Sequence, residues 1–173
     1  LGRQVVQAEY ACDPWLAGDG VLQPRQFGSL RGDPRLFDED LGRGGDAVDA
    51  AVAMAFALAV TYPEAGNIGG GGFLTILMDG QPYFLDYRET APAAAFANMY
   101  LDSKGDPIPE LTLSGNLAVA VPGTVRGFAE AHRRVGRLSW KRDLEPAIAL
   151  ARDGFVVPPA LIDARNASLP AFA

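Results

Sequence analysis

The sequence predicts a layered α+β fold, and three observations lead there. The run from Ala47 to Val60 is apolar on every face, which reads as a helix held between layers. Asp79-Gly80 separates two apolar runs, the strongest short-range signal for a β-hairpin. A further strand and two helical segments follow, and because consecutive strands are joined by a hairpin the pattern is antiparallel α+β or layered α/β rather than a parallel βαβ array.

Residues 1–43 show neither a helical nor a strand period. Cys12-Asp13-Pro14-Trp15 and Gly32-Asp33-Pro34 scatter turn residues through them, and the region reads as mostly loop, distinct from a core portion at 44–173. Asp46 and Asp49 open the apolar helix, where carboxylates suit its unpaired N–H groups and dipole, and Pro63 closes it. Its many alanines suggest close backbone approach by whatever covers it. Gly66-Asn67-Ile68-Gly69-Gly70-Gly71-Gly72 leads into a strand over Phe73–Met78 and, past the Asp-Gly turn, a second over Pro82–Arg88. Alternation puts Phe84, Asp86 and Arg88 on one face and Tyr83, Leu85 and Tyr87 on the other. Leu117–Val121 reads as a third strand. A helix then runs from Thr124 to Val135, with Val125, Phe128, Ala129, His132 and Val135 near one stripe and Gly136 as its stop. The last predicted helix spans Asp143 to Arg152, with Pro146 tolerated in its first turn and Gly154 ending it.

Composition narrows the function classes. The 173 residues are 49% hydrophobic and 21% charged, enough to bury a sizeable core. The net charge is −6, and the densest basic cluster, Arg133, Arg134 and Arg137, reads as a solvated helix end. Neither a nucleic-acid partner nor an anionic membrane is expected. The longest apolar run, Ala50–Val60, has 11 residues, against the roughly 20 a bilayer-spanning helix needs, so a soluble protein is predicted. Cys12 is the lone cysteine and has no helix N-terminus behind it to activate its thiol; no Cys/His cluster has zinc spacing. No metal or cofactor is expected.

Few residues stand out as candidates for chemistry. The glycine run lies between a helix and a strand, the reverse of the strand-glycine-helix order that cradles phosphates, and no Gly-Lys-Ser/Thr follows it. It reads as a tight connection where backbone passes close to backbone or ligand; a ligand-binding module built on it is the less favoured alternative. His132, the only histidine, lies beside the apolar stripe, with no nucleophile or orienting acid signalled for it, and reads as structural. Asn166-Ala167-Ser168 fits a glycosylation triplet that is frequent by chance. Arg88 sits at a strand end, where its planar fork could clamp a carboxylate at two points, or could pair locally with Asp86 or Glu89.

Five ordered blocks resemble the γ-glutamyltransferase (γ-glutamyl transpeptidase) family. They are Gly44-Gly45-Asp46-Ala47-Val48-Asp49-Ala50-Ala51-Val52-Ala53, Gly66 through Phe73, Asp86-Tyr87-Arg88-Glu89-Thr90-Ala91-Pro92, Pro122 through Phe128, and Pro146 through Phe155. They are collinear over residues 44–160, and cephalosporin acylases of the same family carry them too. Residues 8–40 lack the small-residue helix usual in the family.

The resemblance implies part of an αββα sandwich of the N-terminal-nucleophile hydrolase type, completed by a second chain. This chain would be a portion of the large subunit. The catalytic nucleophile would be the N-terminal Thr of a small subunit cut from the same precursor, so no catalytic residue is assigned here. Arg88 matches the arginine that binds the α-carboxylate of a γ-glutamyl substrate. The implied activity is γ-glutamyl transfer from glutathione-like donors to amino acids, peptides or water, with glutaryl-β-lactam cleavage as the alternative. A periplasmic or extracellular location is expected.

Overall fold

The structure, a computed structural model, describes residues 5–9, 42–63, 65–157 and 159–168. Cys12, Trp15 and the Gly32-Asp33-Pro34 turn lie outside them. In chain order the elements are strand β1 (Val5–Glu9), helix α1 (Ala47–Thr61), strands β2 (Phe73–Met78) and β3 (Gln81–Asp86), and helices α2 (Glu110–Leu113), α3 (Thr124–Val135), α4 (Trp140–Asp153) and α5 (Pro159–Ser168).

Helix α1 forms where the sequence predicts it. Asp46 is its N-cap: its carboxylate accepts from the Val48 N–H at 2.8 Å and the Asp49 N–H at 3.2 Å. Asp49 returns the bond, accepting from the Asp46 N–H at 2.7 Å, which completes a capping box. Such a cap is worth about 1 kcal/mol. The helix is the centre of the core, with Ala50 and Ala53 fully buried and Val52 and Phe56 nearly so. Val48, Val52, Ala55 and Phe56 form one cluster with Leu74, Ile76, Tyr87, Phe128, Ala131 and Ala147, from the sheet and from α3 and α4. The all-round apolar character of α1 is therefore met within this chain and does not itself require a partner.

The hairpin also forms as predicted. Asp79 (φ 50°) and Gly80 (φ 77°) both take positive φ, the tight turn that matches strand twist. β2 is the middle strand of an antiparallel sheet ordered β1-β2-β3, with Phe73 opposite Asp86 and Thr75 opposite Phe84. Leu74 and Ile76 point into the core, whereas Thr75 and Leu77 on the opposite face are exposed. The helices cover one face of the sheet. Among the described residues nothing covers the other.

Several expectations need correction. Residues 1–43, read as mostly loop, include one strand: Val5–Glu9 pairs with β2, Val6 opposite Ile76, while residues 10–41 lie outside the described ones. Five residues whose partner lies more than sixty positions away carry no local signal. The predicted strand Leu117–Val121 does not form; among the described residues only the Thr90–Val121 bridge exists there, and Leu117, Val119 and Val121 alternate but stay exposed. β3 ends at Asp86, two residues before Arg88. The buried stripe of α3 is Thr124, Gly127, Phe128 and Ala131, with Val125 and Ala129 outward, because a threonine and a glycine occupy positions expected to be apolar. Helix α4 starts at Trp140, so Pro146 lies beyond the first turn, where its missing N–H leaves the Arg142 carbonyl without a helical donor. Helices α2 and α5 were not predicted at all.

Candidate functional site

The Asp86–Thr90 segment leaves the sheet between two glycine-bearing turns. The Tyr87 N–H donates to the Gly72 carbonyl at 3.0 Å, and Thr90 exchanges backbone bonds with Val121 at 2.9 and 3.2 Å. A Cβ at Gly71 would lie 2.7 Å from the Tyr87 carbonyl oxygen and 2.8 Å from Arg88 Cα, and one at Gly123 would strike the same carbonyl from the other turn. None of Gly69 to Gly72 has positive φ, so close approach, not special backbone geometry, is what Gly71 supplies. The first N–H groups of α3 are also engaged: Gly123 and Thr124 both donate to the Gly70 carbonyl, at 2.9 and 3.0 Å. The glycine run thus locks main chain to main chain, and its carbonyl occupies the helix end that an anion would need.

Arg88 projects from this locked segment on the uncovered sheet face. Its N–H donates to Asp86 Oδ1 at 3.0 Å, its Nε lies 3.4 Å from Glu89 Oε2, and its guanidinium carbon lies 5.7 Å over the Phe73 ring. The local pair with Glu89 is present, but Arg88 is 53% exposed, and such a pair is weak and readily exchanged for another carboxylate. Phe73 in turn stacks on Phe84 at 5.6 Å and 23°. Tyr87 points the other way, into the core. Burial pushes its phenol up to about 12, so it stays neutral and cannot serve as a base.

A second group of ionisable side chains lies at the junction of α1, α3 and α4. His132 Nε2 is 2.9 Å from the Leu138 carbonyl, 3.3 Å from Asp143 Oδ2 and 3.8 Å from Asp49 Oδ1. A carbonyl only accepts, so Nε2 carries the proton and donates. Asp49 also accepts from the Arg137 and Leu138 N–H groups, at 3.0 and 3.2 Å, besides closing the cap of α1. The three ligating atoms lie within 4.8 Å of one another, a spacing that could hold a cation. With the Asp49 oxygens filled by backbone donors and Nε2 turned on a carbonyl, the trio is instead organised as a polar network joining three helices. His132 is thus packed among groups of its own chain, and the sequence signals neither acid as its neighbour. In the sequence Asp49 marks only a helix start and Asp143 only a helix residue, and no local signal ties either one to His132.

Among the described residues, Arg133 and Arg134 pair with Glu130, whose carboxylate they hold down at about 2, and Arg137 faces Asp46 across 3.8 Å. That basic cluster is engaged by acids of its own chain. No helix among the described residues is long and apolar enough to cross a membrane.

The profile of the Gamma-glutamyltranspeptidase family matches residues 39–173. The chain belongs to that family. It is 57% identical over 142 residues to the Glutathione hydrolase proenzyme of Pseudomonas aeruginosa, a match covering 82% of this chain and 25% of that protein. It superposes on the gamma-glutamyltranspeptidase of Pseudomonas nitroreducens with a TM-score of 0.77 at 53% identity, covering 91% of this chain and 45% of the other. A cephalosporin acylase from Bacillus halodurans superposes with a TM-score of 0.68 at 27% identity, covering 80% of this chain and 25% of the other. The chain thus spans about a quarter of the length of the curated relative it matches. The family is the one its five motif blocks resemble.

Proposed function

We propose that this chain is the large-subunit portion of an enzyme that takes the γ-glutamyl group from glutathione-like donors and passes it to water, an amino acid or a peptide. The observation that carries the reading is Arg88, held in the Asp86–Pro92 block of a family member and presented on the uncovered face of the sheet. The hydroxyl of an N-terminal Thr on a small subunit attacks the γ-amide carbonyl, and its own free amine takes the proton. The amine product leaves, and an ester links the γ-glutamyl group to that Thr. Water or an incoming amine then attacks the ester, releasing glutamate or a new γ-glutamyl amide and restoring the hydroxyl. Throughout, Arg88 holds the donor's α-carboxylate.

Two observations support a second chain. The relative from Pseudomonas aeruginosa is named a proenzyme, in keeping with a precursor that is cut. The outer sheet face carries Phe84 and Leu77 in the open, and an apolar sheet face is stable when another layer packs on it, as in an αββα sandwich. We place the enzyme in the periplasm or outside the cell, on the family resemblance alone. The reading needs no cofactor.

The glutaryl alternative keeps a carboxylate for Arg88 but lacks the α-amino group. Initial rates of the complete enzyme on γ-glutamyl and glutaryl anilides separate the two. The proposal expects kcat/KM at least about tenfold higher on the γ-glutamyl anilide, a difference of about 1.4 kcal/mol. Preference for the glutaryl anilide would assign the acylase reaction instead.

A further inference from the structure

We infer that Phe73 is a positioning residue for Arg88, its ring serving as the platform that holds the guanidinium in the plane from which it grips the donor carboxylate. The inference rests on the reading of Arg88 as the ligand of that carboxylate. An arginine side chain has several freely rotating bonds, and a half-exposed one must be ordered each time it binds, a loss that preorganisation removes. Three contacts restrain Arg88. Asp86 fixes its main-chain N–H, Glu89 draws its Nε to one side, and Phe73 lies beneath the guanidinium carbon at 5.7 Å, within cation–π range.

Register explains why the platform is there. Phe73 opens β2 opposite Asp86, the last residue of β3, so the chain that carries Arg88 leaves the sheet next to the Phe73 ring. Phe84, opposite Thr75 on the same face, stacks on Phe73 and limits how far the ring can turn. Phe73 is only partly buried and Phe84 is 66% exposed, so neither has the surroundings of a core residue. The stacked pair thus brings an aromatic face against the guanidinium from within this chain, before any second layer packs on the sheet.

The test compares Phe73→Leu, Phe73→Tyr and Arg88→Ala in the complete enzyme, using a γ-glutamyl anilide and its analogue lacking the α-carboxylate. Phe73→Leu keeps an apolar side chain but removes the ring, and should raise the KM of the carboxylate donor about threefold to tenfold with kcat little changed. Phe73→Tyr keeps the ring and should stay within about twofold of the parent. The analogue should respond to neither substitution, whereas a folding defect would reduce turnover of both donors alike. Should Phe73→Leu fail to accumulate, Phe73→Met, unbranched and of similar volume, carries the same comparison. A raised KM in Arg88→Ala with no change in Phe73→Leu overturns the role of Phe73 and leaves that of Arg88 standing. No change in either variant overturns both, and equal losses on the two donors make Phe73 merely structural.

Discussion

Arg88→Ala should raise the donor KM of the complete enzyme by about thirtyfold to several thousandfold, with a much smaller change in kcat. The loss of roughly 2–5 kcal/mol is that of a desolvated carboxylate left without its partner, and 1.4 kcal/mol is tenfold. The defect falls on KM because the α-carboxylate is remote from the reacting amide and is held alike in ground and transition states. Arg88→Lys keeps the charge but loses the planar fork, so it should lie between the parent and the alanine variant. Size is diagnostic here. Arg88 is half exposed and its ion pair among the described residues is with Glu89, and an exposed pair of that kind is worth about 1 kcal/mol or less. A loss of several kcal/mol therefore also reports that another layer closes over this sheet face when donor is bound. Donors without the carboxylate should be poor substrates of the parent and nearly indifferent to the substitution.

The second large effect is on stability. His132→Ala removes the imidazole whose Nε2 faces the fully buried Asp143 and Asp49, and losing a hydrogen bond to a charged group costs about 1.5–3 kcal/mol. Thermal unfolding of the complete enzyme should begin several degrees lower, while enzyme that remains folded keeps its donor KM. Combining His132→Ala with Asp143→Leu should recover part of the loss, because the carboxylate that faced the imidazole goes with it. An unchanged unfolding temperature in His132→Ala would mean that the junction of α1, α3 and α4 is held by apolar packing alone.

These two residues show where the sequence was legible. Helix α1, the Asp79-Gly80 hairpin and α3 each carry their signals within a few residues: a carboxylate cap, a turn that needs positive φ, a terminal glycine. β1 could not be read, because what makes Val5–Glu9 a strand is its partner β2, far along the chain. Leu117–Val121 differs for the opposite reason, since its alternation is real but among the described residues only the Thr90–Val121 bridge pairs it, and its apolar side chains stay exposed. Arg88 was singled out by its place at a strand end and given its role by the motif around it. Phe73, on the neighbouring strand, was invisible as its support, because the contact depends on register. The network of His132, Asp49 and Asp143 joins residues on three helices, more than eighty positions apart at the widest, and only packing brings them together. The glycine run was correctly read as a place of close backbone approach, while what it approaches, the Tyr87–Arg88 main chain, required the structure.

The central claim is that this chain binds the donor while a Thr at the start of a second chain does the chemistry. Its most direct test is to quench the complete enzyme during turnover of a γ-glutamyl donor and locate the acyl group by peptide mass spectrometry. The account predicts two polypeptides, with the γ-glutamyl mass on the N-terminal Thr of the one that does not contain residues 44–160, and none on this chain. A γ-glutamyl adduct on any side chain of this segment, or turnover by this segment alone, would contradict it.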